Sequence, residues 1–235
     1  MRRQWVPPQH GAWAMLAVPL LAGLLTAGCR WPDLPLAGAW LAGYLLSYFA
    51  FLAIKTRRPG RYRAQLLLYG AVAGVLTAAV VAARPAVLWY APAYAVLVAA
   101  NAWFAARRRE RALLGGVASV LQSCLMVFVV ATVAGKPPAT VLGAFLLCLG
   151  YFAGTVLYVK TMIRERGNPA FKRWSIACHA VALAVAAWVT LWAVPLFGWL
   201  LVRAAVLPGR GWTPKRVGLV EMANCVLLLA CVTAL

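Results

Sequence analysis

Three residues of this chain could move a proton beside or within long apolar runs: His10, His179 and Glu221. His10 stands with Gln9 at the threshold of the first run, in QHGAWAM. His179 lies in WSIACHAVALA and Glu221 in GLVEMANCVLLL. Histidine titrates near neutral pH, which suits general acid–base work or the orienting of a second substrate. A lone carboxylate on an apolar helix is costly, so Glu221 must be protonated or paired with a cation. Asn224 follows Glu221 at i+3, on the same helix face. A second set is cationic: Lys55, Arg107, Arg108, Arg109, Arg111, Lys160 and Arg164, with Asn101 shortly before the arginine run. Arg107 and Arg111 fall at i,i+4, and fixed guanidinium groups suit a phosphate. Each has a plainer reading. His179 can be a core histidine bonded to a carbonyl, and Gln122 and Asn224 can be interhelical hydrogen-bond partners. The basic clusters can be topology determinants, and Gln9–His10 a helix cap at the interface.

The elements that must position these residues follow from composition. The chain has 235 residues, 65% hydrophobic and 11% charged, against about 25% charged in soluble domains. So much apolar surface needs the bilayer as solvent. There are 23 Lys and Arg against 4 Asp and Glu, a net +19. In a soluble protein that excess would point to nucleic acid. Here the cations cluster between apolar stretches, so nucleic acid is excluded. The expected partners are membrane lipids and an anionic or phosphorylated amphiphile.

A spanning helix needs about 20 mostly apolar residues. The candidate spans are 12–29, 36–54, 65–83, 86–105, 113–134, 139–159, 174–193, 194–208 and 218–235. The expected fold is an all-α, polytopic transmembrane bundle of about nine helices in a single transmembrane domain. Pro195 leaves open whether the seventh and eighth spans are two helices or one broken element. The first span is expected to stay in the mature protein, because more spans follow and no small-residue cleavage site stands out.

Basic residues fall on alternate connections. They are Arg2 and Arg3 at the start; Lys55, Arg57, Arg58, Arg61 and Arg63; Arg107, Arg108, Arg109 and Arg111; Lys160, Arg164, Arg166, Lys172 and Arg173; and Arg203, Arg210, Lys215 and Arg216. Only Arg30, Arg84 and Lys136 fall elsewhere. By the positive-inside rule the N-terminus is cytoplasmic and, with nine spans, the C-terminus is outside. On that topology the polar residues within spans sit mainly in the cytoplasmic half. The expectation is a cavity open to the cytoplasm and rimmed by Arg and Lys.

Absences narrow the chemistry. Magnesium-assisted diphosphate chemistry needs paired oxygen ligands, and the four acids, Asp33, Glu110, Glu165 and Glu221, form no DxxxD or ExxxD pair. The six cysteines, Cys29, Cys124, Cys148, Cys178, Cys225 and Cys231, form no CxxC pair, so neither a zinc site nor a disulfide framework is expected. His10 and His179 are a conceivable pair of haem ligands, the lesser reading of the two. The cofactor is left open, with Mg²⁺ disfavoured and no metal ligands assigned.

The stretches QHGAWAMLAVPLLAG, RRRERALLGG, YVKTMIRER and GLVEMAN resemble the YwiC-like family of bacterial membrane proteins along essentially the whole chain. That resemblance implies a bacterial inner-membrane location and brings no established activity. A looser likeness is to the UbiA prenyltransferase superfamily, with nine transmembrane helices around a cavity near the cytoplasmic side. Its acidic motifs follow helices two and six, and basic residues follow helix four. The corresponding stretches here are AIKTRRPGRYR, YVKTMIRERGN and ANAWFAARRRER. Lys55-Thr56 recurs as Lys160-Thr161 about half a chain later, in keeping with a weak internal duplication. Where that superfamily places aspartates, this chain has Lys, Thr and Arg, so the resemblance supports layout more than metal-dependent prenyl transfer.

The functional expectation is a membrane protein that binds an anionic or phosphorylated lipid-like ligand. It is either a degenerate, metal-independent transferase or, alternatively, a transporter or a non-catalytic membrane subunit. His10, His179 and Glu221 take the catalytic roles. Gln9, Lys55, Asn101, Arg107, Arg108, Arg109, Arg111, Lys160, Arg164 and Asn224 hold the ligand.

Overall fold

The computed structural model describes residues 5–7, 10–109 and 112–235, with only the backbone of His10. Among the described residues the structure is helical throughout, without strands. The α-helices are α1 (His10–Ala27), α2 (Asp33–Thr56), α3 (Arg63–Ala83), α4 (Ala91–Ala106), α5 (Leu113–Cys124), α6 (Met126–Val133), α7 (Leu142–Ile163), α8 (Pro169–Val189), α9 (Val194–Val206) and α10 (Pro214–Val232). α5 and α6 meet at Leu125. Its N–H still donates to Leu121 and its carbonyl accepts from Val129, so the two form one span with a single irregular turn.

Among the described residues, five helical stretches are long and apolar enough to cross a membrane: Asp33–Thr56, Pro59–Ala83, Pro85–Ala106, Leu113–Val133 and Pro138–Ile163. Gly11–Ala27 and Leu191–Val206 are apolar but shorter. This is the architecture of a multi-pass membrane protein. The outward faces agree with it. α3 exposes Leu67, Leu68, Val72 and Val75, and α4 exposes Val96, an apolar surface that water would not tolerate over such a length. Exposed tryptophans mark both ends. Trp31, Trp89, Trp188 and Trp192 sit at one set of helix ends, and Trp5, Trp103 and Trp174 at the other, as interfacial indoles do.

The helix ends differ from the expected spans because hydropathy stops at the first charge and a helix does not. α8 starts at Pro169, five residues before the expected boundary. Asn168 caps it, accepting from Ala170 N (3.1 Å) and Phe171 N (3.2 Å), and proline suits the first turn. α10 starts at Pro214 behind a Thr213 cap. α7 runs on through Lys160 to Ile163. The seventh and eighth segments are two helices. Thr190 is extended (φ −163°, ψ 135°) between α8 and α9, and those helices then pack on each other.

α1 lies at the centre, touching α2, α5, α6, α7 and α10. On one side α2 packs on α3 and α4, and α4 on α5. On the other, α7 packs on α8 and α10, and α9 on α8 and α10. The close approach of α1 to α6 depends on Gly23, where a Cβ would lie 2.9 Å from Val130 Cβ. Small residues at such contacts let helix backbones pack tightly where no hydrophobic effect drives them together. Around this seam Ala22, Val127, Val130, Ala131 and Val133 are fully buried.

Candidate functional site

The polar centre of the molecule is built by α7, α8, α9 and α10. α7 presents Tyr151, Thr155 and Tyr158 at i, i+4 and i+7, a single helix face. α9 brings Arg203 in its last turn, and α10 brings Glu221 seven residues past its start, about 10 Å along the axis. Arg203 Nη1 forms an ion pair with Glu221 Oε1. Arg203 Nη2 donates to Thr155 Oγ1 (3.3 Å), and that hydroxyl donates to Glu221 Oε2 (3.1 Å). The Tyr151 hydroxyl donates to Glu221 Oε2 (3.1 Å) and its backbone oxygen (3.0 Å), while accepting from Cys225 Sγ (3.4 Å). The guanidinium carbon of Arg203 sits 4.4 Å from the Tyr158 ring centroid, a cation–π contact that is strengthened by desolvation. These hydrogen bonds run, directly or through Thr155 or Tyr151, toward one carboxylate.

Arg203 is 0% exposed, whereas the Glu221 side chain keeps 13% of its surface accessible. By sequence, Arg203 falls among the basic residues of the connection after the eighth span. The structure corrects that: it is inside α9 and fully buried. The reason is the Glu221 carboxylate, without which an arginine in the span would carry the full desolvation cost.

His179 borders this cluster from α8. Its Nδ1 lies 2.7 Å from the Ser175 carbonyl. A carbonyl only accepts, so Nδ1 carries the proton. Nε2 is buried without a hydrogen-bond partner and packs on Gly154, where a Cβ would fall 2.9 Å from it. Gly154 thus admits the ring next to Thr155. Among α7–α10, Arg203 Nε, Tyr158 Oη, Ser175 Oγ and Asn224 Nδ2 are likewise buried without a hydrogen-bond partner. Arg203 Nε and Asn224 Nδ2 can only donate, the two hydroxyls can donate or accept, and His179 Nε2 accepts.

The structure thus gathers Glu221, His179 and Asn224 of the expected site residues into one four-helix group, and adds Arg203, Tyr151, Thr155 and Tyr158. Asn101 is elsewhere. Its Nδ2 donates to Gln122 Oε1 (3.2 Å) and its Oδ1 accepts from Ser119 Oγ (3.3 Å), joining α4 to α5. Lys55 and Lys160 are half-buried in the last turns of α2 and α7, and Arg164 is exposed just past α7. Arg107, Arg108 and Arg109 are exposed after α4. Arg107 covers Trp103 (4.7 Å), and Arg108 ends the helix with φ 55°. Gln9, Arg111 and the His10 side chain lie outside the described residues. Part of the Glu221 side chain remains accessible. The recess at Ala170, Arg173, Trp174 and Ala177 and the one at Arg30 and Arg84 are lined by neither Arg203 nor Glu221.

Of the added residues, only Arg203 leaves a signal in the sequence, a single cation with apolar residues on both sides in VPLFGWLLVRAAVL. Tyr151, Thr155 and Tyr158 leave none, since tyrosine and threonine are ordinary residues of a span.

Residues 6–131 match the family described as YwiC-like protein. Along 231 residues the chain is 34% identical to a protein of Bacillus subtilis strain 168 described as uncharacterized protein YwiC, covering 96% of this chain and 95% of that one. Along 222 residues it is 28% identical to an uncharacterized protein of Haemophilus influenzae strain KW20, covering 92% and 91%. No solved structure matches.

Proposed function

The chain belongs to the YwiC-like family, and we propose that it is a nine-span protein of the bacterial inner membrane that binds an anionic, lipid-like molecule at its basic end. One observation carries this reading: a fully buried arginine with a single, partly accessible carboxylate partner, whose own Nε has no acceptor, in a helix group with further unpaired buried polar atoms. Buried polar groups are normally paired. A guanidinium with an unmet donor is the complement of a phosphate or carboxylate, whose oxygens accept several hydrogen bonds at once. Glu221 occupies the place such an anion would take, and the ligand competes with it.

The remaining roles follow from position. Lys55, Lys160, Arg164 and the Arg107–Arg109 run draw an anionic amphiphile toward the cytoplasmic end through their field. His179 and Glu221 hold or pass a proton beside the bound anion, with His10 at the entrance. Group transfer in a UbiA-like layout would then run without paired acidic residues to hold a divalent metal. Beyond Tyr151 the buried layer is Ala144, Leu147, Phe197, Leu228 and Val232, apolar across the group. That layer favours a site open to one side over a carrier, which needs a polar path to the far end.

The test is lipid analysis of protein purified from native membranes. Wild type is expected to carry an anionic amphiphile, Arg203→Met to lose it, and Glu221→Gln to retain it or bind it more tightly, because the competing charge is gone. Equal lipid content in wild type and Arg203→Met would sink the proposal and leave a structural ion pair.

A further inference from the structure

Arg30, Arg84 and Lys136 are the basic residues that fall outside the five basic clusters. They come from three different connections, α1–α2, α3–α4 and α6–α7. Cations on translocated connections are selected against by the same bias that sets topology, so their presence asks for a cause. The structure brings the three connections together. Arg30, Trp31, Pro32, Ala83, Arg84 and Ala134 line one recess of about 560 Å³ at the end away from the basic connections. Arg84 Nε donates to Val133 O (3.0 Å), fixing the guanidinium over the end of α6. Gly135, with φ +75°, lies beneath it, and a Cβ there would sit 3.9 Å from Arg84 Nη2. Lys136 Nζ reaches the Thr26 carbonyl (3.4 Å) at the end of α1.

Capping the carbonyl ends of α1 and α6 accounts for one atom of Arg84 and one of Lys136. It leaves the Arg84 terminal nitrogens and the whole Arg30 side chain. Among the described residues no carboxylate pairs with any of the three cations. The local acid, Asp33, is 3% exposed and turns Oδ2 to the backbone N–H of Arg30 (2.6 Å) instead. Trp31 stands on the rim, 69% exposed, where an indole settles among lipid headgroups.

We propose that this recess is a second anion site, formed by Arg30 and Arg84 with Lys136 adding charge from the neighbouring connection, that holds the phosphate of an anionic phospholipid in the leaflet opposite the basic connections. Arg84 is pre-set by its backbone bond and presents a planar fork to the phosphate oxygens. Arg30 closes on the headgroup, Lys136 adds to the positive field from the next connection, and Trp31 packs beside the glycerol region. The site is independent of the Arg203–Glu221 cluster and stands or falls apart from it.

The experiment is native mass spectrometry of the full-length, delipidated protein titrated with phosphatidylglycerol, phosphatidylcholine and inorganic phosphate. The Arg30→Gln/Lys136→Gln variant keeps the Arg84–Val133 bond. Arg57→Gln/Arg58→Gln, at the basic end, serves as control. Wild type is expected to retain phosphatidylglycerol over phosphatidylcholine. Arg30→Gln/Lys136→Gln should weaken its tightest phosphatidylglycerol site roughly tenfold or more, as loss of two cations near a charged surface implies, and the control should leave that site unchanged. If the double variant does not fold, Arg30→Gln alone, at an exposed position, gives the same comparison with a smaller loss. Unchanged phosphatidylglycerol binding in a folded Arg30 variant would overturn the proposal. So would displacement of the lipid from wild type by millimolar inorganic phosphate, which would assign the recess to a free anion.

Discussion

Two polar clusters among the described helices differ in balance. Between α4 and α5, Asn101, Ser119 and Gln122 are neutral, and the Asn101 amide both donates and accepts within the group. Among α7–α10, Arg203 and Glu221 are charged and several buried polar atoms have no partner. The first cluster is closed by its own hydrogen bonds and asks for nothing more. The second is closed around its carboxylate yet leaves Arg203 Nε, Tyr158 Oη, Ser175 Oγ and Asn224 Nδ2 unspent. On the proposed reading, the difference separates polar residues that join helices from polar residues that receive a ligand. Burial alone does not separate them, since both clusters lie between packed helices.

The largest effect expected from breaking the charged cluster is that of Arg203→Met. Removing one partner of a buried ion pair typically costs about 3–5 kcal/mol, because the other charge is left uncompensated. Glu221 would stay beside Tyr151 and Thr155 with no cation. Thermal unfolding in detergent should show a marked fall in Tm, and the double variant Arg203→Met/Glu221→Leu should recover most of it. If the double variant were as unstable as the single one, the ion pair would be a lesser part of the cluster than its burial implies.

Gly154→Ala comes next. The added methyl carbon would fall 2.9 Å from His179 Nε2 and 3.1 Å from Cε1. The ring is held at Nδ1 by Ser175 and has little room to yield. Overpacking of this kind costs about 1–3 kcal/mol. The companion variant Gly154→Ala/His179→Ala should relieve the clash, and the same unfolding measurement would show it. Insensitivity of the single variant would mean that His179 swings away freely, and it would then be a poor candidate for a positioned proton carrier.

These two variants also mark what was legible in the sequence. The helical membrane architecture was legible because long apolar runs admit no other solvent-compatible form. His179, Glu221 and Asn224 were legible because polar groups stand out in such runs. Arg203 also interrupts an apolar run, but it lies seven residues from Arg210 on the way into a basic connection, so its charge reads as part of that connection. Only the packing of α9 on α8 and α10 turns it inward. Tyr151, Thr155 and Tyr158 were illegible for another reason: their importance lies wholly in which helix faces them. The same holds for Gly154, whose small size matters only because the His179 ring arrives from α8.

The smallest effect belongs to the neutral cluster, and it is the sharpest check on the comparison. Side-chain hydrogen bonds between membrane helices average only about 0.6 kcal/mol, since the separated helices find other partners. Gln122→Leu removes the acceptor of the Asn101 amide but leaves the Ser119 hydroxyl bonded to both Asn101 and Gly115 (3.0 Å). Its expected cost is therefore below about 1 kcal/mol, with bound anionic lipid at the α7–α10 cluster unchanged. Paired measurements of Tm and copurified lipid separate the two clusters cleanly. Gln122→Leu should move neither by much, whereas Arg203→Met should move both. If Gln122→Leu emptied the protein of its lipid while Arg203→Met did not, the ligand would belong between α4 and α5. The unpaired polar atoms around Arg203 would then be a feature of packing alone.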